Sequence, residues 1–513
     1  MAHGKYRTSR SEPPAAIGSL KTTTALATTA ALRATTLLAA IAALAASTAC
    51  EAQNAAVGYS DPAGMTLKAQ TCGSDQAAAE DRIRACSDII KSGGLRARDL
   101  ANMFIFRARA ERLAHQGDAA ARDLDLAIKT DDRYAVAYFE RANFRGDSGD
   151  SARAMEDYDS AIKLKATYPE FFINRGNLHK SLGNTAAAIE DYGKAIAIDP
   201  TKAVGYSNRG GLYLAQDQLD AAIHDFNRAV ELDAYHAEPY YSRGTAFQKK
   251  GEPDKALKDY DEALRIRPDF AAAFAARGRV FEGRGETDRA LADYREAVRL
   301  NPRSPALESR ARLLIAKGDF DGAIEDLNEA IANDPSNAAA LNNRGVAYVS
   351  RKDYDRAIAD FTRATELTPA FADAWFNRGA ALEKTKATDR ALQDYDRAIK
   401  LDSQYAAAYF NRAGIQHAQK RFTPALEDYS QAIGLKPTDA AAWFKRGNVH
   451  LDLREFDAAA QDYSEAIRLA PDHAVALYNR SVVYAQLGKR DLSGQDRSRA
   501  IKLDPTLATS KGR

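Results

Sequence analysis

An arginine recurs along this chain at an almost fixed interval of 34 residues, and one interval of 33 is the only exception. The twelve positions are Arg107, Arg141, Arg175, Arg209, Arg243, Arg277, Arg310, Arg344, Arg378, Arg412, Arg446 and Arg480. An aspartate stands sixteen residues after each of them, from Asp123 to Asp496. One unit is therefore repeated twelve times, which predicts a stack of supersecondary modules rather than a globular enzyme.

Each unit reads as two helices joined by a tight turn. In residues 169–202, apolar positions recur at helical spacing on both sides of a break at Gly183 and Asn184. Gly176 on the first helix and Ala188 on the second are small enough to let the two helix backbones approach closely. The repeat thus predicts an all-α chain of helix hairpins.

This unit resembles the tetratricopeptide repeat from about Asp99 to Pro505. The second-helix alanine of that pattern occurs in eleven of the twelve copies, and Ser493 replaces it in the last. A proline often ends the second helix, as at Pro200 and Pro268. The resemblance implies a right-handed α-solenoid of about twelve 34-residue repeats over 99–505, with the first helices lining a concave groove that binds protein or peptide segments.

The composition argues against nucleic-acid binding and against chemistry in the chain. Its 72 basic and 70 acidic residues give a net charge of +2, so there is no strong basic field. The histidines and cysteines lack metal-ligand spacing, and neither a glycine-rich phosphate loop nor a nucleophile elbow is present. We therefore expect no cofactor, no metal and no catalytic residues.

The first 49 residues have the pattern of a secretory signal peptide or a membrane anchor. Five basic residues lead into an uncharged run at 34–46, which is shorter than the roughly 20 apolar residues of a membrane span. Cleavage after Ala49 would remove five basic residues and Glu12, which changes the net charge from +2 to −2. The pattern predicts an exported protein, periplasmic or associated with the outer membrane.

Cys50 directly follows this segment, where the first residue of a bacterial lipoprotein carries its lipid. Ser47 departs from the aliphatic residue that the lipoprotein pattern favours, so plain secretion and a retained anchor stay open alternatives. The membrane is expected to be contacted only through the signal or this lipid. Residues 50–75 are small and polar enough for a flexible tether, and 506–513 form a C-terminal tail.

Cys72 and Cys86 bracket a helix-like stretch, and residues 76–98 are expected to cap the array. In an oxidising compartment the two thiols could form a disulfide. It would close a 15-residue loop and stabilise the folded chain by about 3 kcal/mol. The alternative is two free thiols packed as small apolar groups.

The complete arginine and aspartate series has two interpretations. The structural one is that each arginine pairs with an aspartate of the same or the adjacent unit and fixes how the helices meet. The functional one is a charged groove that binds acidic or phosphorylated ligands.

Two further series mark a candidate peptide-binding groove. The position before the arginine carries Asn174, Asn208, Asn343, Asn377, Asn411 and Asn479, and the position two before it carries Phe376, Phe410, Phe444 and Tyr478. The resemblance places the amides in the groove, where they would grip an extended backbone. Asparagine is also common at this position without a ligand, and the aromatic residues could simply pack between successive first helices.

We therefore predict a non-catalytic scaffold that binds peptide or helical segments. One alternative is a lipid-anchored component of an envelope machine for pilus, secretion or outer-membrane assembly. Another is a regulatory subunit of a separate glycosyltransferase or peptidoglycan enzyme. A clamp for carboxylates built from lysines two residues before the arginine is excluded, because no copy has a lysine there.

Overall fold

The computed structural model describes residues 62–508, which contain 26 α-helices, one short 3-10 turn at Pro505–Ala508 and no β-strand. The chain forms two compact units, whose described parts are residues 62–268 and 269–508. The signal segment and Cys50 lie outside the described residues.

The first unit holds α1 to α12. Their bounds are α1 Pro62–Gly73, α2 Ala79–Ser92, α3 Ala97–Leu113, α4 Gly117–Thr130, α5 Ala135–Asp147, α6 Ser151–Leu164, α7 Pro169–Ser181, α8 Thr185–Ile198, α9 Ala203–Ala215, α10 Leu219–Leu232, α11 Ala237–Lys249 and α12 Pro253–Ile266.

The second unit holds α13 to α26. Their bounds are α13 Ala271–Gly283, α14 Thr287–Leu300, α15 Ala306–Lys317, α16 Phe320–Asn333, α17 Ala338–Ser350, α18 Tyr354–Leu367, α19 Ala372–Lys384, α20 Thr388–Leu401, α21 Ala406–Ala418, α22 Phe422–Leu435, α23 Ala440–Asp452, α24 Phe456–Leu469, α25 Ala474–Gln486 and α26 Arg490–Leu503.

From α3 onward the helices pair into twelve repeats, numbered here 1 (α3 and α4) to 12 (α25 and α26). Every recurring arginine lies on a first helix and every recurring aspartate on a second helix. Consecutive helices pack against each other within each unit. The predicted all-α fold of repeated helix hairpins is confirmed.

The hairpins close around small residues. Ala256 and Tyr260 of α12 are completely buried, and Gly244 of α11 lies against them. A Cβ atom built on Gly244 would lie 2.8 Å from Cε1 of Tyr260. This close contact favours glycine directly after the arginine, as in seven repeats, whereas Ala142 and Ala413 take the same position in repeats 2 and 10.

The turn inside each repeat has one backbone conformation. The residue eight positions after the arginine has a positive φ, between 57° and 84°, in all twelve repeats. Six copies have glycine there, including Gly183, whereas Lys420 and five other residues adopt the same left-handed conformation without it. This residue ends the first helix and turns the chain into the second.

The N-terminal end differs from the expected tether. Residues 62–73 form α1, which packs on α2 through a small apolar cluster that contains Cys72, Cys86 and Ile89. Apolar contacts therefore hold this stretch as a helix, and the expectation of a flexible tether was wrong for 62–73. The two Sγ atoms are 2.02 Å apart.

None of the helices in 62–508 combines the length and the apolar character that crossing a bilayer requires.

Candidate functional site

The recurring arginines and aspartates form a ladder of bidentate ion pairs within each repeat. In repeat 3, Nε and Nη2 of Arg175 donate to the two carboxylate oxygens of Asp191 at 2.8 and 2.6 Å. All twelve repeats show this two-bond arrangement between residues sixteen apart. The structural interpretation of the series is confirmed, with the partner in the same repeat.

Many of these arginines also reach the preceding repeat. Nη1 of Arg175 donates to Asp159 on α6 at 2.7 Å, and six other arginines make the equivalent contact with Asp, Asn or Ser. The hydrogen bonds to Asp191 contribute most to raising the pKa of Arg175. These guanidinium groups therefore join three helices.

Several of the predicted asparagines take part in a hydrogen-bonded bridge between repeats. In repeats 2 and 3, the Tyr158 hydroxyl donates to Oδ1 of Asn143 at 2.6 Å, and Nδ2 of Asn174 donates to the same oxygen at 2.9 Å. We call this arrangement the amide bridge. It recurs with Tyr192, Asn177 and Asn208, and with Tyr463, Asn448 and Asn479.

The other predicted asparagines also contact neighbouring side chains. Asn343 and Asn377 are buried, and Nδ2 of Asn377 donates to Oδ1 of Asn342 at 2.9 Å. Nδ2 of Asn411 donates to the Tyr395 hydroxyl at 3.2 Å. These contacts give the amide series a packing role, and a role in gripping a partner's backbone stays a prediction.

The four predicted aromatic residues differ in exposure. Phe376 and Tyr478 are buried, with 1% and 5% of their surface exposed. Phe410 and Phe444 are half-buried, and the ring of Phe444 lies 4.7 Å from that of His473 between centroids. The structure therefore places only two of the four where a partner could reach them.

A cleft of about 820 Å³ opens on the first-helix side of repeats 9 to 11. Phe410 and Asn411 line it, so two predicted groove residues meet there. Its other lining residues are Glu383, Gly414, His417, Ala418, Lys420, Phe422, Tyr429, Lys445 and Asp452. The first helices α19, α21 and α23 supply most of this wall.

The cleft is lined by acidic and basic side chains, but its two lysines have no carboxylate partner. Nε2 of His417 lies 2.8 Å from a carboxylate oxygen of Asp452, and Glu383 accepts a hydrogen bond from Tyr395 at 3.1 Å. Within residues 62–508, neither Lys420 nor Lys445 has a carboxylate within ion-pair distance. An acidic group would find two cations available there.

In the described part of the chain, no cluster of His, Cys, Asp and Glu side chains is arranged to hold a metal ion.

Family models identify the repeat. Tetratricopeptide repeat models match residues 203–236, 237–270, 309–370, 348–406 and 440–473, and a TPR repeat model matches 176–217 and 415–454.

The chain carries tetratricopeptide repeats.

Solved structures similar to parts of this chain include those of the MamA protein, of YrrB and of a protein from Parabacteroides merdae. The MamA protein is 27% identical over 33% of this chain and 93% of its own, with a TM-score of 0.31. YrrB, described as a TPR protein with an unusual peptide-binding site, is 23% identical over 38% and 97%, with a TM-score of 0.34. A tetratricopeptide repeat protein from Parabacteroides merdae is 21% identical over 48% and 98%, with a TM-score of 0.39.

Superpositions this loose carry no information about function. No curated protein matches the sequence. The TPR units themselves indicate protein or peptide partners.

Sequence reasoning missed several residues of the TPR cleft. His417, Lys420 and Lys445 lie at positions that vary between repeats, so the repeat pattern does not mark them. Asn143 and its equivalents, which accept the hydrogen bonds of the amide bridge, were also overlooked. Their signal was visible, because an asparagine two residues after one arginine is followed by an asparagine just before the next.

Proposed function

We propose that this protein is an exported, non-catalytic scaffold that binds a segment of a partner protein in the cleft of repeats 9 to 11. The observation that carries the proposal is the cleft itself, which combines the half-buried ring of Phe410 with the uncompensated Lys420 and Lys445. An apolar anchor surrounded by polar groups is the usual composition of an interface hot spot.

Phe410 lacks the neighbouring ring that packs on Phe376 and on Phe444. For Phe376, Phe410 and Phe444, the residue 29 positions later lies in the connection to the next repeat. Tyr405 stands there for Phe376, with 4.9 Å between the two ring centroids, and His473 stands there for Phe444. The equivalent residue for Phe410 is Asp439, which caps α23 by accepting a hydrogen bond from the backbone N–H of Ala441.

Photocrosslinking in intact cells tests this function. A photoreactive benzoylphenylalanine at position 410 is expected to crosslink one partner protein, whereas the same residue at Tyr235, which is 84% exposed in another connection, is not. The crosslinked segment is then made as a peptide, and Phe410→Ala is expected to weaken its binding at least about tenfold. Equal crosslinking at both positions, or a peptide indifferent to Phe410→Ala, contradicts the proposal.

The signal-like pattern of residues 1–49 is the basis for proposing export, and an exported protein would be located in the cell envelope. Cys72 and Cys86 lie in one buried cluster, and an oxidising compartment would favour a disulfide between them. The mass of the mature N-terminus tests this part. Cleavage before Cys50 without an adduct supports plain secretion, and a diacylglycerol adduct on Cys50 supports a lipid-anchored component of an envelope machine.

A second candidate is a regulatory subunit of a glycosyltransferase or peptidoglycan enzyme on another chain. Partner binding by TPR units favours it only in general terms. It predicts that an activity appears in the co-purified complex and disappears when the two chains are separated.

A further inference from the structure

The second helix of seven repeats carries a tyrosine directly after the ladder aspartate, and six of these hydroxyls donate to a side chain of the first helix. The acceptors lie two or five residues after the arginine. They are Asn143 for Tyr158, Asn177 for Tyr192, Thr245 and Gln248 for Tyr260, Glu282 for Tyr294, Glu383 for Tyr395 and Asn448 for Tyr463.

Tyr429 of repeat 10 is the exception. Gly414 occupies the first acceptor position and cannot accept with a side chain, while His417 at the second is directed to Asp452. No group in residues 62–508 hydrogen-bonds the Tyr429 hydroxyl. A Cβ atom built on Gly414 would lie 3.7 Å from that hydroxyl, so the missing side chain leaves space directly in front of it.

The neighbouring repeat has lost the other part of the bridge. Where Asn174, Asn208 and Asn479 donate their amides, repeat 11 has Lys445. Tyr429, Gly414 and Lys445 thus occupy the three positions of an amide bridge whose central acceptor is absent. All three line the cleft.

The hydroxyl left behind is a strong candidate for a ligand contact. Tyr429 is only 1% exposed, and within residues 62–508 its hydroxyl, at the wall of the cleft, has no hydrogen-bond partner. Burial, together with the charge of Glu383, raises the pKa of Tyr429, so the group remains protonated and acts as a donor. Lys445 supplies further donors and a positive charge, and both groups can donate to one acceptor in the cleft.

We propose that the cleft binds a carboxylate of the partner segment between the Tyr429 hydroxyl and the Lys445 ammonium, in the place of the missing amide oxygen. This inference rests on the proposed function and specifies the chemistry of its ligand. One negative charge suits the site better than the two of a phosphate, because Glu383 and Asp452 line the same cleft. Phe410 and Phe422 beside it suit an apolar group next to the carboxylate.

The site differs from a clamp made by lysines on first helices alone. Its central donor comes from the second helix α22 and faces the space beside Gly414. Lys445 lies one residue before the arginine rather than two.

Two small probes isolate the carboxylate. Calorimetric titration of the full chain with 3-phenylpropionate is compared with titration by 3-phenylpropanamide, which has nearly the same shape without the charge. We expect the acid to bind at least about tenfold more tightly, because hydrogen bonds to a charged group are the stronger kind. Equal binding of acid and amide, or no binding of the acid at about 50 mM, roughly fiftyfold above a weak dissociation constant of 1 mM, overturns the proposal.

Substitutions locate the binding. Tyr429→Phe and Lys445→Asn are each expected to weaken the acid about fivefold or more. Gly414→Asn restores the missing acceptor, so it is expected to abolish binding while it raises thermal stability. Gly211→Asn is the matched control, because Gly211 has the same place in repeat 4 and nothing lies within 4 Å of its built Cβ.

The outcomes separate this inference from the proposed function. In Gly414→Asn the new amide oxygen should occupy the place of the ligand's carboxylate. Undiminished binding of the acid to this variant therefore overturns the inference. If the crosslinked partner peptide depends on Phe410 but not on Tyr429, Lys445 or its own carboxylates, the inference is wrong and the proposed function stands. If no partner peptide depends on Phe410, the proposed function is wrong.

Discussion

The bidentate pair between arginine and aspartate explains why both residues persist in all twelve repeats. A guanidinium offers two parallel N–H donors that match the two oxygens of one carboxylate, and the single ammonium of lysine cannot reproduce this geometry. The aspartates are buried, so the loss of their partner would leave an uncompensated charge. Chemistry at a single position thus fixes how each hairpin closes.

Two aspartate substitutions should differ in cost because their arginines have different remaining partners. Asp225→Ala removes the carboxylate that Arg209 binds and leaves no other in its place. We expect a loss of about 3 kcal/mol in the free energy of unfolding. Asp191→Ala leaves Arg175 bound to Asp159 at 2.7 Å, so the loss should be smaller. Urea denaturation measures both, and peptide binding in the cleft should not change. Equal losses would show that the contact with Asp159 contributes nothing.

Glu111 should make the stability of the first unit depend on pH. Burial first, and then the charge of Asp123, raise the pKa of Glu111 to about 7, whereas an unfolded glutamate titrates near 4.3. Between about pH 4.5 and 7 the folded state therefore holds a proton that the unfolded chain has released. Stability from this group is present below that window, falls as pH rises through it and changes no further above it.

Glu111→Gln tests this dependence, because glutamine resembles the protonated acid. The free energy of unfolding of the wild-type protein should fall by an amount on the order of 2 kcal/mol between pH 4.5 and 7, and the variant should not show this fall. Thermal unfolding of the two proteins across this range measures the difference. Glu190→Gln, at an exposed position paired with Lys194, is the control and should keep the wild-type profile. An unchanged slope in Glu111→Gln would refute the assignment.

At the scale of the helix pair, glycine has opposite consequences at adjacent positions of the repeat. Gly244→Ala would place a Cβ 2.8 Å from the fully buried Tyr260 ring and 3.2 Å from the backbone oxygen of Ala256. We expect a net loss of about 1–3 kcal/mol. Gly211→Ala meets nothing within 4 Å and should stabilise the helix by about 0.5–1 kcal/mol. Chemical denaturation compares the two, and a stabilised Gly244→Ala would contradict this account of the packing.

The sequence predicted the elements better than it predicted the cleft. Periodicity identifies the hairpins because all copies but the last bury the same alanine and a large apolar residue after the ladder aspartate, so the signal is repeated along the array. The cleft arises where copies differ. Phe376 and Phe410 occupy equivalent positions, yet Tyr405 covers the first, whereas Asp439 stands at the same place for the second.

Absent side chains are harder still to predict. Gly414 reads as one more small residue, and only the bridges made by Asn143 and Asn448 show which acceptor it replaces. Five of the six asparagines predicted to bind a ligand donate a hydrogen bond to an asparagine or tyrosine of the repeat before. A pattern of residue types cannot distinguish these two uses of an amide.

At the scale of the whole molecule, stability should be distributed along the chain. Within each unit the helices with substantial contact are consecutive or next but one, so a repeat is supported only by its neighbours. A local defect is then expected to loosen nearby repeats before distant ones. This differs from a globular domain, in which one core responds as a unit.

Gly345→Ala in repeat 8 offers a direct test of this distribution. Its Cβ would lie 2.5 Å from Cε1 of the fully buried Phe361, so α17 and α18 must separate or shift. Hydrogen exchange under native conditions should show faster exchange in these two helices and in the adjoining α16 and α19, with α25 and α26 unchanged. Gly494→Ala, which meets nothing within 4 Å on α26, is the control and should accelerate exchange nowhere. Uniform acceleration across residues 269–508 would mean that this unit opens as a single cooperative body, and the neighbour-by-neighbour account of its stability would then be wrong.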